Sequence, residues 1–213
     1  MAKKIHNDRA MKILKILKKT YPDAKIALNY NSPFELLIAT ILSAQCTDER
    51  VNIVTKKLFS KYKHPEDYVK VEAVELEDDI RSTGFYKQKT KSIQNAAAML
   101  IDEYNSEVPD NMDDLIKLPG VARKTANIVL GNGMGITAGI AVDTHVKRLS
   151  QLLDLSKNSQ PDKIEADLME QIPKRDWTAF SHLLQAHGRA VCKARKPRCN
   201  ECKLNELCPS SLI

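Results

Sequence analysis

Four of the chain's five cysteines stand in one short run, CKARKPRCNECKLNELC, from Cys192 to Cys208. Their spacing is C-x6-C-x2-C-x5-C. Disulfides between thiols this close in sequence are awkward, and a reducing compartment disfavours them. A metal centre held by Cys192, Cys199, Cys202 and Cys208 is the remaining reading, and it must gather this segment around one point. Four thiolates suit tetrahedral zinc and a 4Fe-4S cluster alike, and spacing alone does not choose between them. A zinc finger that recruits His182 or His187 is a third arrangement, and it leaves one cysteine unused. The fifth thiol, Cys46, is remote in sequence and reads as a buried, unrelated side chain. Between the first two ligands lie Lys193, Arg195, Lys196 and Arg198. A centre that pins both ends of this basic loop lowers the ordering cost of meeting a phosphate backbone.

The charge balance points the same way. The net charge is +6 with a pI near 9.0, while the stretch EDYVKVEAVELEDD at 66–79 carries seven acids against one lysine. The rest of the chain is therefore strongly basic, as a polyanion partner such as nucleic acid requires. No uninterrupted apolar run approaches the roughly 20 residues of a membrane span. The N-terminal MAKKIHNDRAMKILKILKK is broken by lysines every few residues, which is unlike a signal-peptide core. These features imply no membrane partner and a cytoplasmic location.

Periodicity is helical almost throughout. Ala10, Ile13, Leu14 and Leu17 share one face of a first helix, opposite lysines. In SPFELLIATILSAQC, Ser32 can cap, Pro33 suits the first helical position and Glu35 completes a capping box. Further helices are expected over about 49–62, 66–79, 89–104, 111–117, 122–130, 144–153, 161–172 and 176–190, punctuated by prolines. GITAGIAVDTHV reads as a buried connection, with one short strand as the alternative. The fold class is all-α.

LIKLPGVARKTANIVLG, residues 115–131, reads as helix, tight turn, helix. Pro119 ends the first helix, Gly120 makes the turn, the second helix opens near Ala122, and Gly131 is a natural stop. A helix N-terminus with Arg123 beside it suits a phosphate without reading bases.

LPGVARKTAN, followed by VDTH and the four cysteines, resembles the endonuclease III family of helix-hairpin-helix DNA glycosylases. SPFELLIATILSAQCTD and STGFYKQK resemble that family's two DNA-probing segments, so the resemblance spans nearly the whole chain. It implies two helical lobes flanking a DNA-binding groove: a central lobe over 26–137, and a cluster lobe of 1–25 plus 138–213. It implies a monomer that acts on damaged double-stranded DNA in the nucleoid, and a 4Fe-4S cluster on the four cysteines. The activity implied is excision of oxidised pyrimidines followed by strand cleavage at the abasic site. Lys124 is then the amine that attacks the sugar and forms a Schiff base. Asp143 is the carboxylate that stabilises positive charge on the sugar, or, read locally, the N-cap of the next helix. About one unperturbed lysine in 2,500 is neutral at pH 7, so such an amine needs a tuned setting. A base must leave the stack before it is attacked. The resemblance gives the filling of that gap to Gln45 and Phe85, with Asp48 and His145 beside the site. Two positions depart from the family pattern: Ala122 replaces a second hairpin glycine, and Phe85 stands where relatives often have leucine. The alternatives are a mismatch glycosylase of the same superfamily, and a non-catalytic, zinc-clamped DNA-binding module.

Overall fold

A computed structural model describes residues 2–213, with side chains from Asp8 onward. In chain order the α-helices are α1 (Ala2–Thr20), α2 (Pro33–Leu42), α3 (Asp48–Lys61), α4 (Pro65–Lys70), α5 (Ala73–Ile80), α6 (Tyr86–Tyr104), α7 (Met112–Leu115), α8 (Arg123–Ile128), α9 (Thr144–Leu152), α10 (Pro161–Gln171) and α11 (Trp177–Ala190). No strand occurs among the described residues, so the molecule is all-α. No helix among them is long and apolar enough to cross a membrane. The chain divides into two compact units, Ala27–Ala138 and Met1–Ile26 with Gly139–Ile213.

The Ala27–Ala138 unit is organised by α2. Every residue from Leu36 to Leu42 is buried, so this helix is apolar all round, as an interior helix must be. Leu36, Leu37, Ile38 and Leu42 have no exposed surface, and each such burial contributes about 1.5–3 kcal/mol. The helix starts where the sequence indicates. Ser32 accepts a hydrogen bond from the Glu35 amide at 3.2 Å, and the Glu35 carboxylate returns to the Asn31 amide at 2.6 Å rather than to that of Ser32.

Two expected boundaries in this unit are corrected. The helix anticipated over 66–79 is broken into α4 and α5 at Val71, which is extended with ψ 138°. The Gln94 amide on α6 donates to the carbonyls of Tyr68 and Val71 at 3.1 and 2.9 Å. It thereby satisfies the end of α4 from across the core. Gly131 is no stop. The chain runs through it in a π-helical turn, Val129–Gly133. The helix ends at Gly133 with Met134 as C-cap, and Gly135 follows with φ +70°, where the Ile136 amide closes back onto the Leu130 carbonyl at 2.9 Å. A left-handed residue is what such a closure needs.

In the other unit the first helix packs with the last ones. Ala10, Ile13, Leu14 and Leu17 of α1 share a core with Val146 and Leu149 of α9, Ile164 and Leu168 of α10, and Phe180 and Leu184 of α11. The segment before α9 is an irregular connection rather than a strand, with Ile140, Ala141 and Val142 buried. Beyond α11 the backbone has only short 3-10 turns, at Cys199–Glu201 and Asn205–Leu207. Leu204 is its single buried side chain among the described residues.

Candidate active site and cluster loop

The hairpin turn is fixed by a packing constraint at Gly120. Its φ is +83°, and a Cβ there would lie 2.8 Å from the Ser92 Cβ of α6. Only glycine satisfies both conditions. The turn closes with the Val121 amide on the Leu118 carbonyl at 3.0 Å. Ala122 is the N-cap of α8 at φ −92°, ψ 169°. That is extended backbone open to any residue, so the departure from glycine at this position carries no conformational penalty. Arg123 and Lys124 are the first two residues of α8, and both are half-buried.

Gln45 and Phe85 share an unusual backbone. Gln45 has φ 53° and Phe85 has φ 48°, left-handed conformations that are uncommon for such side chains and collect at functional positions. Both are exposed, Phe85 to 65%. The Arg81 guanidinium lies 4.7 Å from the Tyr86 ring centre at the base of the Phe85 loop. Cys46 follows Gln45 and is half-buried, not buried as expected. Asp48 is the first residue of α3, after the Thr47 cap.

Behind these loops lies Lys89 of α6, 4% exposed. Its amine donates to the Leu42 carbonyl and to the Thr83 carbonyl, both at 2.8 Å. Burial lowers its pKa below that of an ordinary lysine, and the nearby Cys46 opposes the shift.

In the second unit, Asp143 caps α9 and accepts the Val146 amide at 2.7 Å. It is only half-buried. His145 follows in the first turn of α9, which packs closely on α11. A Cβ on Gly188 would lie 2.7 Å from His145 Nδ1 and 3.2 Å from Arg148 Nη2.

The four cysteines surround a cavity of about 190 Å3, which His187 and Leu149 also line. That space greatly exceeds the roughly 10–15 Å3 that admits one water. Among the described residues, no group of three or more His, Cys, Asp or Glu side chains converges on a point suited to one metal ion. Four thiols around a cavity of this size form a donor set that fits a 4Fe-4S cluster. Burial pushes the Cys192, Cys202 and Cys208 thiols up, a cost of ionisation that an iron centre held by them would offset. The Leu204 amide donates to Cys202 Sγ at 3.4 Å, and His187 Nε2 lies 3.5 Å from the same sulfur. The other ring nitrogen of His187 is 3.0 Å from the Tyr21 hydroxyl, and burial depresses the imidazole pKa to about 4. Arg148 donates to the Cys192 carbonyl.

Lys193, Arg195, Lys196 and Arg198 are all exposed. Arg198 is tied to the Ala190 carbonyl and to Glu201 at 2.8 Å. The other three make no side-chain hydrogen bond or ion pair among the described residues. Sequence reasoning missed Lys89, Tyr21 and Arg148 as supports, and took His187 only for a zinc ligand. A histidine five residues before the first cysteine was the one available signal.

The comparisons with known proteins give the family. Residues 38–174 match the model of the HhH-GPD superfamily base excision DNA repair proteins, which fixes the class. Residues 192–208 match the iron-sulfur binding domain of endonuclease III. Endonuclease III of Synechocystis sp. is 55% identical over 203 residues, covering 95% of this chain and 93% of its own. That of Bacillus subtilis is 50% identical over 189 residues, 88% of this chain and 86% of its own. A solved trapped endonuclease III–DNA covalent intermediate, an estranged-adenine complex, superposes with a TM-score of 0.92 at 48% identity and 96% coverage of both chains. The chain belongs to the endonuclease III family. It is a base excision repair enzyme, a DNA glycosylase and apurinic/apyrimidinic lyase, with a 4Fe-4S cluster as cofactor.

Proposed function

We propose that this enzyme removes oxidised pyrimidines from duplex DNA and then cuts the strand through a Schiff base on Lys124. The observation that carries the proposal is the position of Lys124, the second residue of a helix whose N-terminus follows a glycine-locked turn. An amine so placed lies beside backbone N–H groups suited to a phosphate of the substrate strand. In the glycosylase step the neutral amine adds to the sugar's anomeric carbon while the base departs, and Asp143 offsets the positive charge that builds on the sugar. The cap bond uses only part of the acceptor capacity of Asp143, since a carboxylate has about four lone-pair sites. Loss of a proton from the adjacent sugar carbon then expels the 3′ phosphate by β-elimination.

Gln45 and Phe85 are the residues that enter the stack once the base is out, glutamine for its hydrogen bonds and phenylalanine for its face. Their exposed, left-handed positions support that role. The solved relative is a trapped covalent intermediate with DNA that holds an estranged adenine, which supports covalent chemistry on a base taken out of its pair. Cys192, Cys199, Cys202 and Cys208 would hold the cluster, which when bound supplies a rigid anchor for the basic loop and redox-active iron. Lys193, Arg195 and Lys196 then meet DNA phosphates.

The test is borohydride trapping on a panel of oligonucleotides carrying damaged bases. Wild type forms a covalent adduct with oxidised pyrimidines, Lys124→Ala forms none, and Asp143→Asn slows base removal about 100-fold or more. Trapping by Lys124→Ala at the wild-type rate would overturn the assignment.

A further inference from the structure

The amine of Lys89 sits where two loops leave the core. Leu42 is the last residue of α2, three before Gln45, and Thr83 ends a 3-10 turn, two before Phe85. Carbonyls at helix ends lack partners within the helix, and inside a protein they need another donor. Lys89 Nζ meets both at 2.8 Å, and its own backbone amide donates to the Phe85 carbonyl at 3.0 Å. One side chain thus holds the roots of both loops, and its main chain holds the tip of one. The same helix carries Ser92, against which the Gly120 turn is seated. Left-handed residues persist only where their surroundings hold them, and at Gln45 and Phe85 the shared element is this lysine.

We infer that Lys89 is a positioning residue that couples the Gln45 and Phe85 loops, so that they enter the DNA stack as one unit. This rests on the reading of those two residues as the wedges. The coupling acts on base extrusion from a duplex. It has no part in sugar chemistry on a base that is already unstacked.

The experiment compares Lys89→Met, Gln45→Ala and Phe85→Ala with wild type on two substrates: a duplex with an oxidised pyrimidine, and a single strand with an abasic site. Lys89→Met is expected to lose excision on the duplex by on the order of 10–100-fold, the scale of a loop misplacement. Trapping on the single strand is expected to stay within about twofold, because that substrate needs no extrusion. Gln45→Ala and Phe85→Ala are expected to be non-additive in the wild-type background and additive in Lys89→Met. An equal loss on both substrates would make Lys89 a general fold element and overturn the inference. Full duplex activity in Lys89→Met, with losses in the two loop variants, would overturn the coupling alone. Full duplex activity in both loop variants would remove the wedge reading, and the inference with it. If Lys89→Met does not fold, Lys89→Gln, whose amide can reach one carbonyl, is measured in its place against the same outcomes.

Discussion

The Gly120 turn and the Cys192–Cys208 loop both present backbone and positive charge to solvent, yet they are held by different means. The turn is locked by covalent geometry and packing: φ +83°, a Ser92 side chain against the missing Cβ, and the buried Ile41 of α2 3.7 Å from it. The loop has one buried side chain among its described residues, two short 3-10 turns and four thiols around a cavity. Apolar burial of that extent does not order a segment of 17 residues, since each costs roughly 1–2 kcal/mol of backbone entropy. The first region is self-sufficient, and the second depends on what binds its sulfurs. Under the proposed function, one protein uses two independent devices for the same purpose, to set rigid donors before a polyanion arrives.

That contrast can be broken by removing the cluster. Cys202→Ala is expected to abolish the iron-sulfur absorption and to destabilise the unit of Met1–Ile26 with Gly139–Ile213 by more than about 4 kcal/mol, as loss of a structural metal does. Hydrogen exchange should rise there and stay at wild-type levels in Ala27–Ala138. Uniform exchange across both units would mean that the loop is not the dependent partner.

Gly120→Ala should do the reverse. A β-carbon in left-handed backbone, 2.8 Å from Ser92, costs about 2–4 kcal/mol, seen as a lower midpoint in urea with the cluster absorption intact. A midpoint unchanged from wild type would show that the turn tolerates a side chain after all.

The smallest effect sharpens the picture of the loop. Replacing Lys193, Arg195 and Lys196 together by glutamine should reduce the slope of log affinity against log salt by about 2–3, close to one for each phosphate no longer neutralised. Lesion preference should not change. Arg198 is left out of this set because its guanidinium already serves the Ala190 carbonyl and Glu201.

How much of this was legible beforehand follows the range of the forces involved. Local signals carried through: Ser32 caps α2, Asp143 caps α9, and the Pro-Gly pair makes the hairpin turn. Features set from a distance did not. The break at Val71 depends on Gln94, a residue on another helix. Gly131 gave no sign that the helix would pass through it and stop only at Gly133. Lys89 lies in YKQKTK between two other lysines, and alternation of charge cannot tell which amine turns inward. The cysteine spacing announced a metal centre but left its nuclearity open, because that depends on how far apart folding leaves the sulfurs.

The cap on α9 has a mechanical corollary. With one oxygen of Asp143 bonded to the Val146 amide, the carboxylate travels with the axis of that helix. The axis is seated by Val146 and Leu149 against Phe180 and Leu184. Trimming an aliphatic side chain in that oily seat would tilt the rod and move the acid with it; if Asp143 has the role proposed above, turnover would then fall through changes that never touch DNA.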